Sequence, residues 1–357
     1  MDARDVGVNP AFWDGRRVLV TGHTGFKGSW LCLLLEQLNA RVTGIGLEPP
    51  EGGAFSSFLP WTRVDSHISD LRDPEKTAAI VAGCRPEVVI HMAAQALEPV
   101  GFADPILTYS TNVMSTVNLL VAVSEVPECR SMVVVTSDKV YENSELGRPF
   151  KEDDPLGGTG PYSGSKACVE FVVKAFRRDP TKALAPRIAT ARAGNVIGGG
   201  DQSQQRLLPD VFRSLAAGRV IELRNPKAVR PWQFVLNPLW GYLLLAERLY
   251  SDPDGAPKAV NFGPHLEDSV PVGELVDRTL AEIGSGSWVD VGESFPEAVQ
   301  LRLDSTIATQ TLGWSPLVDI DTAVRWTAEW HRAAPDTSER RTTSIDQIRR
   351  YLEMLPK

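Results

Sequence analysis

The chain of 357 residues is 43% apolar and 23% charged, with a formal charge of -8 at pH 7, a make-up that suits one large α/β domain or two packed ones. The negative balance argues against a general nucleic-acid binder. No stretch reads as a bilayer span or a secretory leader, so neither nucleic acid nor membrane is expected as a partner.

Four scattered cysteines and five histidines show no ligand spacing. The expectation is a reduced, cytoplasmic protein without a metal site, with Cys32 and Cys168 as small core residues.

In chain order, residues 16–21 ("RRVLVT") read as a buried strand, followed by a helix in "GSWLCLLLEQLNA" and a second strand in "RVTGIGL". Further apolar runs at 87–94, 131–137 and 187–194 are separated by helical segments near 74–83, 106–125 and 162–177. Strands alternating with helices predict a doubly wound parallel α/β sheet of the Rossmann kind over residues 1–194, with return segments near 233–250. After Asn195 the rhythm breaks into "GGGDQSQQ", a helix and short mixed elements. Residues 195–357 therefore read as a smaller mixed substrate lobe and a tail. The tail after Pro335 begins polar and ends as an amphipathic helix.

"VTGHTGFKGSW" carries the first chemical signal. Gly22, Gly25 and Gly28 strip side chains from a turn between a strand and a helix. Such a turn offers a phosphate the unpaired N–H groups and the positive dipole end of the helix. Gly28 would let helix and strand pack closely. Glu48 lies about 20 residues on, where a carboxylate bonds adenosine ribose hydroxyls and opposes a 2′-phosphate, so NAD is expected rather than NADP. The Gly-x-x-Gly-x-x-Gly spacing differs from the Gly-x-Gly-x-x-Gly of many dehydrogenases. The second signal is "PYSGSK", which puts Tyr162 and Lys166 on one face of a helix.

The ordered motifs "TGHTGFKG", "HMAAQ", "TNV" and "PYSGSK" resemble the extended short-chain dehydrogenase/reductase family, which acts largely on nucleotide sugars. "TSDKVYEN", "ARAGNVIGGGD", "NPKAVRPWQFVLNPLWGYL" and "NFGP" resemble, more narrowly, its branch of 4,6-dehydratases for CDP-glucose, over nearly the whole chain to about residue 332. That resemblance implies NAD as cofactor, a CDP-hexose or other nucleotide sugar as substrate, and a part in deoxysugar biosynthesis such as that of O-antigen. The cofactor residues it implies are Gly22, Thr24, Gly25, Phe26, Gly28, Glu48, Asp70, Leu71, Ala93, Ala94, Gln95, Thr111, Tyr162 and Lys166. Tyr162 and Lys166 would be the catalytic pair, Ser137 would bond the sugar O4 region, and Asp138 and Lys139 would drive water loss. Asn195, Arg206 and Arg230 would meet the phosphates or nucleotide. A homodimer through a four-helix bundle of the 106–125 and 162–177 helices is also implied.

Each role sets a physical requirement. Tyr162 must be acidified to act as a base, and Lys166 is expected to do so. Asp138 needs a raised pKa to serve as acid toward O6. At the Lys139 position, relatives acting on thymidine or uridine nucleotides carry a glutamate. Lys139 must either lose its proton by desolvation, the reading preferred here, or stabilise the enolate as a cation.

The chain also departs from the pattern. Pro99, Gly101 and Phe102 stand where an arginine, a serine and a tyrosine are expected, and residues between Tyr141 and Tyr162 differ as well. Hydrogen-bonding groups are lost from a loop that should face the sugar, so a different hexose or nucleotide remains open. Two other readings compete: an epimerase or reductase using the same Tyr162 and Lys166, and a non-catalytic NAD-binding protein.

Overall fold

The computed structural model describes residues 9–142, 148–179, 181, 184, 187–292, 301–334 and 337–356. Part of the divergent stretch after Tyr141 (143–147), and Pro335 with Asp336 in the tail, lie outside the described residues.

Seven strands form the central sheet: β1 (Arg17–Thr21), β2 (Arg41–Gly46), β3 (Val64–Ile68), β4 (Val88–His91), β5 (Ser131–Val135), β6 (Ile188–Ala193) and β7 (Ala259–Phe262). All pair in parallel, in the spatial order 7-6-5-4-1-2-3. Every residue of β4, β5 and β6 is buried, as expected for strands covered by helices on both faces. The strand order reverses between β1 and β4, and the crevice at that point is where an α/β sheet takes its ligand.

The main helices are α1 (Phe26–Gln37), α2 (Pro74–Cys84), α3 (Glu98–Ala103), α4 (Pro105–Ser124), α5 (Pro161–Phe176), α6 (Leu207–Ala216), α7 (Leu236–Ser251), α8 (Val272–Ile283), α9 (Thr306–Leu312), α10 (Ile320–Arg332) and α11 (Thr337–Glu353). Local signals start several of them. Asp73 caps α2 by accepting from Lys76 N at 3.1 Å. Ser163 Oγ accepts from Gly160 N at 3.0 Å and closes the first turn of α5. α1 is buried from Gly28 through Glu36, because the sheet covers one side and α11 returns from the far end of the chain to cover another. Arg341 of α11 pairs with Glu36 and donates to Phe58 O.

Two strands depart from the sequence reading. β3 ("VDSHI") has no buried position, with Asp65, Ser66 and Ile68 exposed, and lacks an apolar pattern, since an edge strand needs little burial. β7 was expected among the short elements of the second lobe but forms the opposite edge of the central sheet, its register set by Val260 beside Ala191.

Among the described residues, the second lobe carries three two-stranded ladders: Val196–Ile197 with Gln233–Phe234, Ile221–Leu223 with Trp288–Asp290, and Val229–Pro231 with Ser269–Pro271.

Two further corrections concern composition. Cys32 is fully buried, but Cys168 is only partly so, because α5 turns that side toward solvent. α4, at 20 residues, is long and apolar enough to cross a membrane, contrary to expectation. Its apolarity serves two faces. Leu119, Leu120 and Val123 lie in the core, while Ile106, Met114 and Val121 are exposed.

Candidate active site

The glycine turn sits at the crevice. Gly22 adopts φ +71°, and a methyl there would stand 2.8 Å from Ala93 N; one at Gly28 would come within 2.0 Å of Gly22 O. Gly25 is the N-cap of α1, whose first N–H groups have no partners within the helix. The turn thus has the bare backbone and positive helix end that a pyrophosphate needs, and these residues fit NAD.

Behind the turn, Thr21 Oγ1 accepts from Met92 N (3.1 Å) and Ala93 N (3.2 Å). Its single proton therefore goes to His91 Nδ1 at 2.6 Å, and His91 Nε2–H donates to Thr116 Oγ1 at 2.9 Å. Burial pushes the His91 pKa down to about 3, so this chain of bonds is neutral and fixes β1, β4 and α4 together.

The other cofactor candidates gather around the crevice to different degrees. Thr24 is buried beside Gly46, and Phe26 reaches across to Gly198. Glu48 lies two residues past the end of β2 and is exposed. Asp70 lies past β3, its carboxylate gripped by Arg72 Nε at 2.9 Å; that bond lowers its pKa. Leu71 is buried. Ala93 and Ala94 follow β4. The side chain of Gln95 donates to Thr108 at 2.8 Å and accepts from Leu97 N at 2.6 Å, so it braces the loop. Thr111 falls in a π-helical turn, Ser110–Met114, of α4. Such turns cluster at functional sites.

Tyr162, Ser137 and Asp138 are all buried, and so is Lys166. Ser137 caps the short 3-10 turn Asp138–Val140 after β5; its Oγ accepts from Lys139 N at 3.2 Å and donates to Asp138 Oδ1 at 3.0 Å. Burial raises the Asp138 pKa, which meets the requirement for an acid. Lys166 Nζ donates to Val135 O at 3.1 Å, and burial lowers its pKa to about 8.

Two expectations are corrected here. Burial raises the pKa of the Tyr162 phenol and outweighs the opposing pull of Ser137, Arg206 and Lys139, so the protein's own groups do not acidify it. The cations acting most strongly on the phenol are thus Arg206 and Lys139 rather than Lys166. Lys139 is not deprotonated by burial. Its Nζ donates to Glu98 Oε1 at 2.9 Å, and although desolvation is the largest single effect, Glu98, Asp138 and Tyr162 together raise its pKa. Lys139 is an ammonium.

Residues 18–263 match the NAD dependent epimerase/dehydratase family. The chain belongs to that family.

CDP-glucose 4,6-dehydratase of Salmonella typhimurium is 43% identical over 334 residues, which cover 91% of this chain and 93% of that protein. UDP-glucose 4-epimerase 3 of Oryza sativa subsp. japonica is 26% identical over 352 residues, 90% of this chain and 91% of that one. Among solved structures, a double mutant of dTDP-glucose 4,6-dehydratase from Streptomyces venezuelae, with NAD bound, matches with a TM-score of 0.78 at 22% identity. The match covers 89% of this chain and 97% of that one, a likeness of fold.

The remaining candidates of this NAD dependent family member lie on the second-lobe side. Arg206 is the N-cap residue of α6 and pairs loosely with Asp201 at 3.4 Å. Arg230 lies in Val229–Pro231, and its charge acts on Asp138. Asn195 follows β6, its carbonyl accepting from Gln233 N at 3.0 Å.

Sequence reasoning passed over two features of the site. Lys27, inside the glycine motif, is half-buried with Nζ donating to Tyr242 Oη at 3.0 Å; desolvation, then Arg206 and Lys166, lower its pKa to about 7. A lysine between two motif glycines was the available signal. The second is the buried pair Glu170–Arg192, with Arg192 Nη2 2.9 Å from Glu170 Oε2. Thr136 and Thr190 also donate to Glu170, at 2.6 and 2.8 Å. The pair anchors α5 to β6 one turn beyond Lys166.

Proposed function

We propose that this chain is a nucleotide-sugar 4,6-dehydratase that converts CDP-glucose to the 4-keto-6-deoxy sugar and water. The observation that carries the reading is Asp138, buried in the turn after β5 with Ser137 Oγ 3.0 Å from its Oδ1, its pKa raised by that burial and its charge felt by the Tyr162 phenol. An epimerase needs a proton acceptor at O4 but no acid for O6. The 43% identity to a CDP-glucose 4,6-dehydratase supports the same choice.

NAD held on the Gly22–Gly28 turn would supply a hydride acceptor toward C4 and a hydride donor toward C6, and its positive ring would favour the Tyr162 phenolate. The phenolate removes the O4 proton. Ser137, within hydrogen-bonding reach of the phenol, orients O4. The resulting C4 ketone acidifies the C5 hydrogen. Asp138 then gives its proton to O6, which leaves as water. Arg206 and Arg230 offer bidentate donors to the diphosphate.

Incubation with CDP-, dTDP-, UDP- and GDP-hexoses, followed by mass spectrometry, tests this. Loss of one water from CDP-glucose is expected. An unchanged mass with inversion at C4, or no turnover of any donor, overturns the reading.

We further infer a cytoplasmic homodimer paired through α4 and α5. The support is the row of exposed apolar side chains Ile106, Tyr109, Met114, Val121 and Phe171 on those helices and the free state of the four cysteines. Light scattering after gel filtration should give about twice the 39.0 kDa chain mass; a monomer would refute the pairing.

A further inference from the structure

α3 lies against the first turn of α5. A methyl at Gly101 would stand 3.2 Å from Tyr162 N, and one at Gly160 would stand 3.3 Å from Glu98 Oε2. This close packing brings Glu98, the first residue of α3, to Lys139, with 2.9 Å between Oε1 and Nζ. Lys139 follows Asp138 directly, and both charges reach the Tyr162 phenol. Glu98 therefore stands at the edge of the Tyr162 cluster, in the very loop that has lost its expected polar residues.

The elimination needs a base at C5. Tyr162 is committed to O4. Asp138 is buried and must begin protonated. Lys139 is an ammonium, which has no lone pair to offer. Among the described residues, Glu98 is the remaining carboxylate bonded to the 137–139 turn. The two carboxylates occupy opposed environments: Asp138 is enclosed, while Glu98 is ion-paired and partly open to solvent. Carboxylates whose surroundings diverge in this way divide into acid and base.

We propose that Glu98 is the base that takes the C5 proton, held and oriented by Lys139. The inference rests on the dehydratase reading above. In the step, the C5–H bond breaks and its proton passes to a Glu98 oxygen. The electron pair forms the C5–C6 double bond as the C6–O6 bond breaks. O6 departs with the Asp138 proton as water. Glu98 later gives its proton back to C5. Lys139, close to both carboxylates, balances the negative charge that builds on the ketone oxygen.

The test uses the NAD-loaded protein and Glu98→Gln, which keeps the shape and cannot accept the proton. With CDP-glucose, E98Q should still reduce bound NAD, seen at the nicotinamide absorbance, at close to the wild-type rate. Water loss and incorporation of solvent deuterium at C5 should both fall by roughly 10²-fold or more.

A second readout is independent of turnover. Without its carboxylate partner, Lys139 should react roughly tenfold faster with an amine-acylating reagent at pH 8, measured by peptide mass mapping. Water loss by E98Q within threefold of wild type, or parallel loss of NAD reduction and water loss, overturns the proposal. If wild-type protein releases no water from any hexose donor, the dehydratase reading itself has failed. The Lys139 labelling then still reports whether the pair exists.

Discussion

Ser137 donates its hydroxyl proton to Asp138 Oδ1 at 3.0 Å in a pocket that buries both side chains. The bond favours the charged carboxylate, while burial disfavours it and wins, so the net shift of Asp138 is upward. Asp138→Asn should leave oxidation at C4 intact but slow water release by roughly 10²- to 10⁴-fold. Ser137→Ala removes the bond that opposes burial, so the Asp138 pKa should rise further. The limb of the pH–rate profile that reports loss of the acid should then move to higher pH. Stopped-flow absorbance of bound nicotinamide, with parallel assay of water loss, separates the two steps. A D138N variant that dehydrates normally would remove Asp138 from the mechanism.

Tyr162→Phe tests the other end of the cluster. The ring stays, so packing against α3 is kept and only the hydroxyl is lost. Oxidation at C4 should drop by roughly 10²- to 10⁴-fold, far more than any change in NAD content after purification. Because Arg206 is the cation that most lowers the phenol, Arg206→Met should shift the rising limb of the C4-oxidation pH profile upward as well as weaken substrate binding. An effect on KM alone would confine Arg206 to binding.

Lys27 offers a test that needs no turnover. Desolvation and the neighbouring cations Arg206 and Lys166 hold its amine at about 7, so its positive charge is present at pH 6 and largely gone at pH 8. A cationic Lys27 beside the glycine turn attracts an anion. Dinucleotide affinity, measured by calorimetry, should therefore fall as pH rises from 6 to 8. Lys27→Met should bind more weakly and show a flatter dependence. Equal pH slopes in both proteins would exclude Lys27 as the source.

The parts legible in the sequence are those set by local rules. The glycine turn, the buried strands and the Tyr162–Lys166 helix each follow from spacing or from a continuous apolar run. β3 escaped because "VDSHI" is half solvated, and β7 because a long excursion separates it from β6. The charge state of Lys139 is hidden from the sequence for a related reason. It depends on Glu98, 41 residues away in sequence and brought close by the packing of α3 on α5. Desolvation can be guessed from a motif, but a long-range ion partner cannot.

Glu247, on α7, shows how the fold itself should respond to pH. Trp13 Nε1 donates to its Oε1 at 2.5 Å and Asn9 N to its Oε2 at 3.4 Å. Burial nonetheless outweighs these bonds and raises its pKa from 4.5 to about 7. Between those values the native state holds a proton that the unfolded chain has released. Stability tied to this group is therefore complete below about pH 4.5 and is lost as pH climbs to 7. The full displacement converts to roughly 3 kcal/mol, an upper limit because partial exposure screens the charge. Glu247→Gln mimics the protonated form and keeps an oxygen for the Trp13 indole. Its melting temperature should match wild type near pH 5 and exceed it by several degrees at pH 8. A difference in Tm that is constant across this range would show that Glu247 does not titrate on folding.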